Sequence, residues 1–363
     1  MNLTTARPLP AAVSGVAAKV NDRLGRLFDA EQARWAAVDP DLGPPLQVLR
    51  SYVMAGGKRL RPAFCYWAFT GAGGAAADRW AIDGGAALEM LHTAALVHDD
   101  VIDGSDRRHG AGTVHVLEAG RHRAERWRGS PDRFGAGAAI LLGDLALVYS
   151  GCLLAGAPAA AVAVFDEMRL EVNVGQFLDI LGAAQGVDLP GETAVARARR
   201  ICRYKTAKYT VERPLHLGAA LASPSSLDEL AGPLSRFGLP LGEAFQLRDD
   251  LLGVFGDSAV TGKPVGDDLR EGKPTLLASL AASRATGPAA GLIAERFGSA
   301  DLSESEVADL QEVIEATGAR AQVEQAIASL LEAAMKALES LPLEPEAVAA
   351  LRDVGTFAAG RDY

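Results

Sequence analysis

The stretch "LVHDDVID" (96–103) sets His98, Asp99, Asp100 and Asp103 inside an apolar segment. Carboxylates are rarely buried without a partner, so several on one apolar element call for a cation, a hydrogen-bond network or water. Asp99 and Asp103 are four residues apart. On a helix they share a face, with Cβ atoms about 5–6 Å apart. Asp100 turns about 100° away from Asp99. Two carboxylates on one face attract a hard cation, and Mg²⁺ typically takes one or two carboxylates plus substrate phosphates and water. A second cluster, "QLRDDLLGVFGD" (246–257), carries Asp249, Asp250 and Asp257. Asp250 and Asp257 share a face if the helix persists. One such cluster alone reads equally well as a helix cap plus solvated charge. Two of them, each late in an apolar helix and each followed by a polar loop with basic residues, favour an acidic rim that holds metal.

Basic residues supply the complement. "GGKRLRP" (56–62) puts Lys58 and Arg61 after a flexible Gly pair. Arg107 and Arg108 follow the first acidic cluster, and Lys205, Lys263 and Lys273 stand in "YKTAKYT", "TGKPVGDD" and "EGKPT". Singly, each reads as a solvated surface charge. Together with the carboxylates they suggest a diphosphate held by metal on one side and by Lys and Arg on the other.

These residues need rigid elements. The chain has 363 residues, 49% of them hydrophobic and only 6% aromatic, with Ala and Leu dominant. That balance favours helices, and no strand pattern persists, so the reading is all-α. Helical spacing covers 12–38, 45–54, 62–71, 80–103, 136–155, 159–184, 193–222, 226–254 and 274–297. Two or three amphipathic helices cover about 303–358. Residues 104–113 and 256–275 read as polar loops, and 120–134 as a charged surface segment. Trp127 among the arginines of that segment reads as a surface cation–π cluster. The joints are short and the polar motifs run from 56 to 273. One domain over 1–363 is therefore expected, with about 280–363 as its C-terminal helices. A net charge of −10 argues against nucleic acid as a partner. Cys65, Cys152 and Cys202 are far apart and odd in number, which fits reduced thiols and a cytoplasmic location. No stretch reads as a membrane span; the closest, "AILLGDLALVY", is interrupted by Asp144.

Over about residues 50–280 the ordered motifs "GGKRLRP", "LVHDDVID…RR", "YKTA", "GQFLD", "FQLRDD" and "TGKPVGDDLREGK" resemble the trans-isoprenyl diphosphate synthases, or polyprenyl synthetases. The resemblance implies an isoprenoid-synthase bundle of helices around a deep central cavity, a homodimer, and three Mg²⁺ ions. It implies head-to-tail condensation of isopentenyl diphosphate with an allylic diphosphate. Carried over by motif, Lys58, Arg61 and His92 match the isopentenyl diphosphate site; alone, His92 would read as a core histidine. Asp99, Asp103 and Asp249 match metal ligands. Lys205, Thr206, Gln246 and Lys263 match the allylic diphosphate and metal site, with Lys273 at its edge, and Gln176 and Asp179 match the GQxxD helix.

Three departures from the family pattern stand out. The two arginines expected five and six residues after Asp103 are Arg108 and His109, so the pair Arg107–Arg108 is one residue early. The last Asp of the second motif is Gly253, and Asp257 is a possible compensation. Pro274 follows Lys273 where a basic residue is common.

Product length in the family depends on the residues four and five before Asp99, here Ala95 and Ala94. Two alanines leave the path open, so a C20 product, geranylgeranyl diphosphate, is expected. Met90, Leu91 and Ala87 are candidates for the cavity floor. Farnesyl or longer products are the alternatives. A terpene cyclase on the same fold fits less well, because Lys58, Arg61 and His92 are kept and the second motif begins with DD. A non-catalytic subunit of a heteromeric synthase stays open through Gly253 and His109.

Overall fold

The computed structural model describes residues 8–108, 110–186, 191–256 and 265–360. Among these the regular elements are helices, apart from one pair of two-residue strands. The residues group into two compact units. The first comprises Leu9–Val162 with Leu217–Pro224; the second comprises 163–216 and the residues from Ser225 onward.

In the first unit, α1 (Ala11–Ala36) buries Val13, Val16, Val20, Leu24 and Phe28. Their spacing of three and four residues is the stripe that a core-facing helix requires. It packs on α2 (Gly43–Met54), α3 (Leu60–Gly71) and α4 (Trp80–Ile102). α4 is buried on almost every side, with Leu88 and Met90 fully enclosed. A fully buried side chain of this size contributes roughly 1.5–3 kcal/mol, so α4 is a rigid support for whatever its C-terminal end carries.

The 104–113 segment is a hairpin rather than a plain loop: Arg107–Arg108 pairs antiparallel with Ala111–Gly112. Beyond it, α5 (Val114–Ala124) was not anticipated from the sequence. Its buried stripe is Val114, Glu118, Ala119 and His122, so two polar residues stand where aliphatic ones would have signalled a helix. α6 (Pro131–Leu153) packs on α4 and α5. The segment between α5 and α6 closes on itself. Arg121 lies over the Trp127 ring at 5.0 Å, and Phe134 meets Trp127 edge to face at 5.2 Å. Despite Asp144, α6 is long and apolar enough to cross a membrane by length and composition alone, and only 39% of its most apolar window is buried.

In the second unit, α7 ends at Gln185 after beginning at Ala159. The expected helix over 193–222 is three elements: α8 (Gly191–Ile201), a π-helical segment (Cys202–Glu212) and α9 (Arg213–Ala222), the last of which belongs to the first unit from Leu217 on. α10 (Leu227–Phe255) runs through Pro233 and Pro240 without ending. The short α11 (Asp267–Arg270) follows. The expected 274–297 helix is split into α12 (Leu276–Arg284) and α13 (Pro288–Arg296), because Gly287 takes a positive φ ahead of Pro288. Three tail helices complete the unit: α14 (Glu304–Ala316), α15 (Ala319–Leu338) and α16 (Pro345–Ala359). Leu247, Leu251 and Val254 of α10 join Leu277, Leu310, Val323 and Ile327 in one core, which fixes the opposite face of α10.

Candidate active site

In the first unit the site residues ride on α4 and on the turn before α3. The Asp103 N–H donates to the Asp99 carbonyl at 2.8 Å, so the helical register holds through both carboxylates and keeps them on one face. Asp99 is half-buried and Asp103 exposed, whereas Asp100 is fully buried. The Asp100 carboxylate accepts from the Tyr52 hydroxyl at 2.6 Å and from Arg108 Nε at 2.7 Å and its terminal nitrogen at 2.6 Å. The same guanidinium lies 3.8 Å from Asp99. Burial alone would lower the Arg108 pKa, but Asp100 and Asp99 more than reverse this and raise it. Arg107 points elsewhere and donates to the Gly110 carbonyl across the hairpin. His109 lies outside the described residues.

The basic turn divides its labour. Arg59 takes a left-handed backbone (φ 51°) ahead of α3 and turns inward. It pairs with Glu89 at 2.5 Å and donates to Asn21 and to the Val53 carbonyl. That anchor fixes the turn that carries exposed Lys58 and leads into α3, in whose first turn half-buried Arg61 stands. His92 is half-buried seven residues before Asp99. Ala94, Met90 and Leu91 are buried and Ala95 half-buried.

In the second unit three sequence-distant motifs converge on the π-helical segment. Lys205 Nζ pairs with Asp179 of α7 at 2.5 Å. Thr206 Oγ donates to Gln246 Oε1 of α10 at 2.6 Å, and Gln246 Nε2 donates to Asp250 at 2.7 Å. Two glycines permit this approach. A Cβ on Gly175 of α7 would lie 2.5 Å from the Lys205 nitrogen, and one on Gly242 of α10 would lie 2.6 Å from Ala207 Cα. Real Cβ atoms are not found so near a backbone. A π-helix widens the turn and commonly marks a functional position; here it presents Lys205 and Thr206 in succession to α7 and α10. Gln176 is half-buried on α7.

Asp250 is buried, and desolvation pushes its carboxyl up to about 8; the Gln246 bond opposes this, while Asp268 and Asp249 add to it. Asp268 of α11 lies 3.8 Å from Lys273, which also pairs with Glu271. Lys263 and Asp257 lie outside the described residues.

Residues 45–316 match the family model for polyprenyl synthetase. The chain is 33% identical over 298 residues to a geranylgeranyl diphosphate synthase from Mycobacterium tuberculosis, covering 81% of this chain and 78% of that one. It is 34% identical over 242 residues to a geranylfarnesyl diphosphate synthase from Aeropyrum pernix, covering 64% and 69%. A crystal structure of geranylgeranyl pyrophosphate synthase from Corynebacterium glutamicum, complexed with isoprenyl diphosphate and magnesium, superposes with a TM-score of 0.87 at 40% identity, covering 96% of this chain and 99% of that one. The chain belongs to the polyprenyl synthetase family. It is a trans-prenyltransferase, a prenyl diphosphate synthase with the all-α isoprenoid-synthase fold.

Polyprenyl synthetases depend on divalent metal. The candidate ligands Asp99, Asp103 and Asp249 are all carboxylates, a donor type that suits a hard ion. Among the described residues no three His, Cys, Asp or Glu side chains converge closely enough to hold an ion by themselves.

The residues that sequence reading did not single out are mostly supports. Tyr52, Arg59, Glu89, Gly175 and Gly242 act through other residues, and nothing in their spacing announces it. Arg59, Gly175 and Asp268 do lie inside the recognised "GGKRLRP", "GQFLD" and "TGKPVGDDLREGK".

Proposed function

We propose that this synthase condenses isopentenyl diphosphate head-to-tail with allylic diphosphates and that its product is geranylgeranyl diphosphate. The observation that carries the product length is the pair Ala94–Ala95, one turn before Asp99 on a rigid α4: neither side chain can block a growing chain as an aromatic ring would. Met90 and Leu91, a further turn back, are the proposed floor.

In this reading Lys58, Arg61 and His92 hold isopentenyl diphosphate, with Arg107 and Arg108 beside them. Lys205, Thr206, Gln246, Lys263 and Lys273 hold the allylic diphosphate. Asp99, Asp103 and Asp249 would hold Mg²⁺, in a complement of three ions. Bound Mg²⁺ supplies positive charge against the diphosphate leaving group. Lys205 and Lys263 add fixed cations where that charge grows as the C–O bond breaks. Asp179 and Gln246 hold Lys205 and Thr206 in place before substrate arrives, so little reorganisation is left to the reaction. The double bond of isopentenyl diphosphate attacks the allylic carbon. A proton then leaves the adjacent carbon for the departed diphosphate. Apolar walls on α4 keep water from the cation.

The same reading takes the chain as one domain and a cytoplasmic protein, with substrates rather than nucleic acid as partners. It also takes the chain as a homodimer. Exposed Ile140, Leu141 and Val148 on α6 support association, since one exposed apolar helix face favours cover.

The test is product analysis by mass spectrometry with isopentenyl diphosphate, Mg²⁺ and C5, C10 or C15 allylic primers. A C20 product is expected from each primer, shortening to C15 in Ala95→Phe or Ala94→Phe. A longer wild-type product would move the floor beyond Met90 and Leu91. No elongation from any primer would overturn the reading in favour of a silent subunit or a cyclase.

A further inference from the structure

One stripe of α7 touches the π-helical segment at three points. Glu171, Gly175 and Asp179 follow at four-residue intervals and so share a face. Asp179 pairs with Lys205, and Gly175 admits the Lys205 backbone. Glu171 serves the other end of the segment. Its buried carboxylate accepts from Arg213 Nε at 2.6 Å and Nη2 at 2.7 Å, and it pairs with Lys208 Nζ. Burial would raise this carboxyl, but the bonds from Arg213 and Lys208 more than reverse that and hold it below the usual glutamate range. The Arg213 guanidinium also reaches His216 Nδ1 at 3.4 Å, and His216 Nε2 lies 3.1 Å from the Ala231 carbonyl of α10. Lys208 and Arg213 are five residues apart. In an α-helix, residues five apart point about 140° away from each other. In a π-helix five residues is the bonding repeat, so such residues are neighbours one turn apart. The backbone agrees: the Arg213 N–H donates to the Lys208 carbonyl, an i→i+5 bond at the end of the segment. Backbone and side chains close the same turn.

We propose that Glu171 is a positioning residue: by bridging Lys208 and Arg213 it holds Cys202–Glu212 in the π-helical register and so sets Lys205 and Thr206 for the allylic diphosphate. This rests on the reading of Lys205 and Thr206 as allylic diphosphate ligands. The π-helix occurs mostly as a single turn, so a run of eleven residues needs tethers from outside. Without the charge on Glu171 the segment is free to relax to the tighter α register, which rotates Lys205 relative to Arg213. Asp179 stays where α7 holds it, so Lys205 cannot follow the new register and keep its partner.

The experiment is steady-state kinetics of the full-length protein with Mg²⁺, isopentenyl diphosphate and a C15 allylic primer. Glu171→Gln keeps the shape and one acceptor oxygen but loses the charge that draws both cations. It is expected to lower kcat/KM for the allylic primer by up to about a hundredfold, as a misplacement of about 1 Å does. The loss should come with a raised KM for the primer and an unchanged KM for isopentenyl diphosphate. Lys205→Ala is expected to give the same split, and Glu171→Gln made on top of it to add little, because the two act through one group. Partial unfolding alone would lower kcat and move neither KM. If Glu171→Gln does not fold, Lys208→Met breaks the same bridge from the other end and keeps a long stem. An unchanged allylic KM in Glu171→Gln or Lys208→Met, with a raised one in Lys205→Ala, overturns the role of Glu171 and keeps the allylic reading. Additive losses in the double variant also overturn that role. An unchanged allylic KM in Lys205→Ala overturns both.

Discussion

Asp100→Asn separates support from chemistry within the first acidic motif. Asp100 is wholly buried and accepts three hydrogen bonds, two of them from the Arg108 guanidinium. The substitution keeps shape and one oxygen, so Tyr52 and Arg108 can each retain a polar neighbour. What is lost is the negative charge facing a guanidinium whose side chain is only 19% exposed. Breaking a buried pair from one side costs about 3–5 kcal/mol. Asp99 remains 3.8 Å from the same guanidinium, which puts the expected loss near the lower end, about 3 kcal/mol. For 363 residues unfolding together this lowers Tm by about 4 °C. Urea denaturation followed by circular dichroism reads it directly. Tyr52→Phe removes one bond to a charged group and is expected to cost about 1.5–3 kcal/mol. Asp99→Asn, half-buried and 3.8 Å from the same guanidinium without a closer bond to it, is expected to cost less than Asp100→Asn while weakening Mn²⁺ binding. A loss below about 1 kcal/mol in Asp100→Asn, or a greater loss in Asp99→Asn than in Asp100→Asn, would show that the motif does not divide in this way.

Two further outcomes follow from the packing. Gly175→Ala drives a methyl group against the Lys205 backbone; overpacking of this kind costs about 1–3 kcal/mol, and the displaced Lys205 should lower kcat more than it raises KM for isopentenyl diphosphate, a split that steady-state kinetics resolves. Glu118 is buried on α5, and desolvation raises its carboxyl despite Arg121. A raised pKa means that the protonated form stabilises the fold fully below the unfolded value of about 4.3, and that this contribution is lost as pH rises through the folded value. Glu118→Gln, which mimics the protonated form, should therefore raise Tm at pH 8 and leave it unchanged near pH 4; an equal shift at both values would mean the charge plays no part.

Most of the architecture could be read from the chain because its signals are local. The stripe from Val13 to Phe28 predicts α1, and the apolar run ahead of Asp99 predicts α4. Where the reading failed, the deciding interaction was tertiary. α5 hides because Glu118 and His122 occupy its inward face. The π-helical segment hides because "CRYKTAKYTVE" carries no pattern that distinguishes five-residue from four-residue bonding, and the close approach of α7 and α10 to Lys205 and Ala207, which Gly175 and Gly242 permit, is tertiary. The split of the 274–297 helix at Gly287–Pro288, by contrast, follows from residues plainly visible in the sequence.

The site shows the same division more sharply. Residue types and spacing are enough to nominate Asp99, Asp103, Lys205 and Asp249, because a diphosphate and its metal need oxygen donors and cations in quantity. Spacing cannot say which members of a motif act on substrate and which hold the others still. Asp100 and Arg59 sit in the middle of the two most recognisable motifs, yet both face inward and bind protein. Gly253 makes the point from the other direction. In sequence it is a missing carboxylate and an argument for a weakened or silent enzyme. In three dimensions a side chain there would overlap the carboxyl group of Asp268, fifteen residues later. A motif departure in this chain therefore carries a functional meaning only after the space it vacates has been inspected.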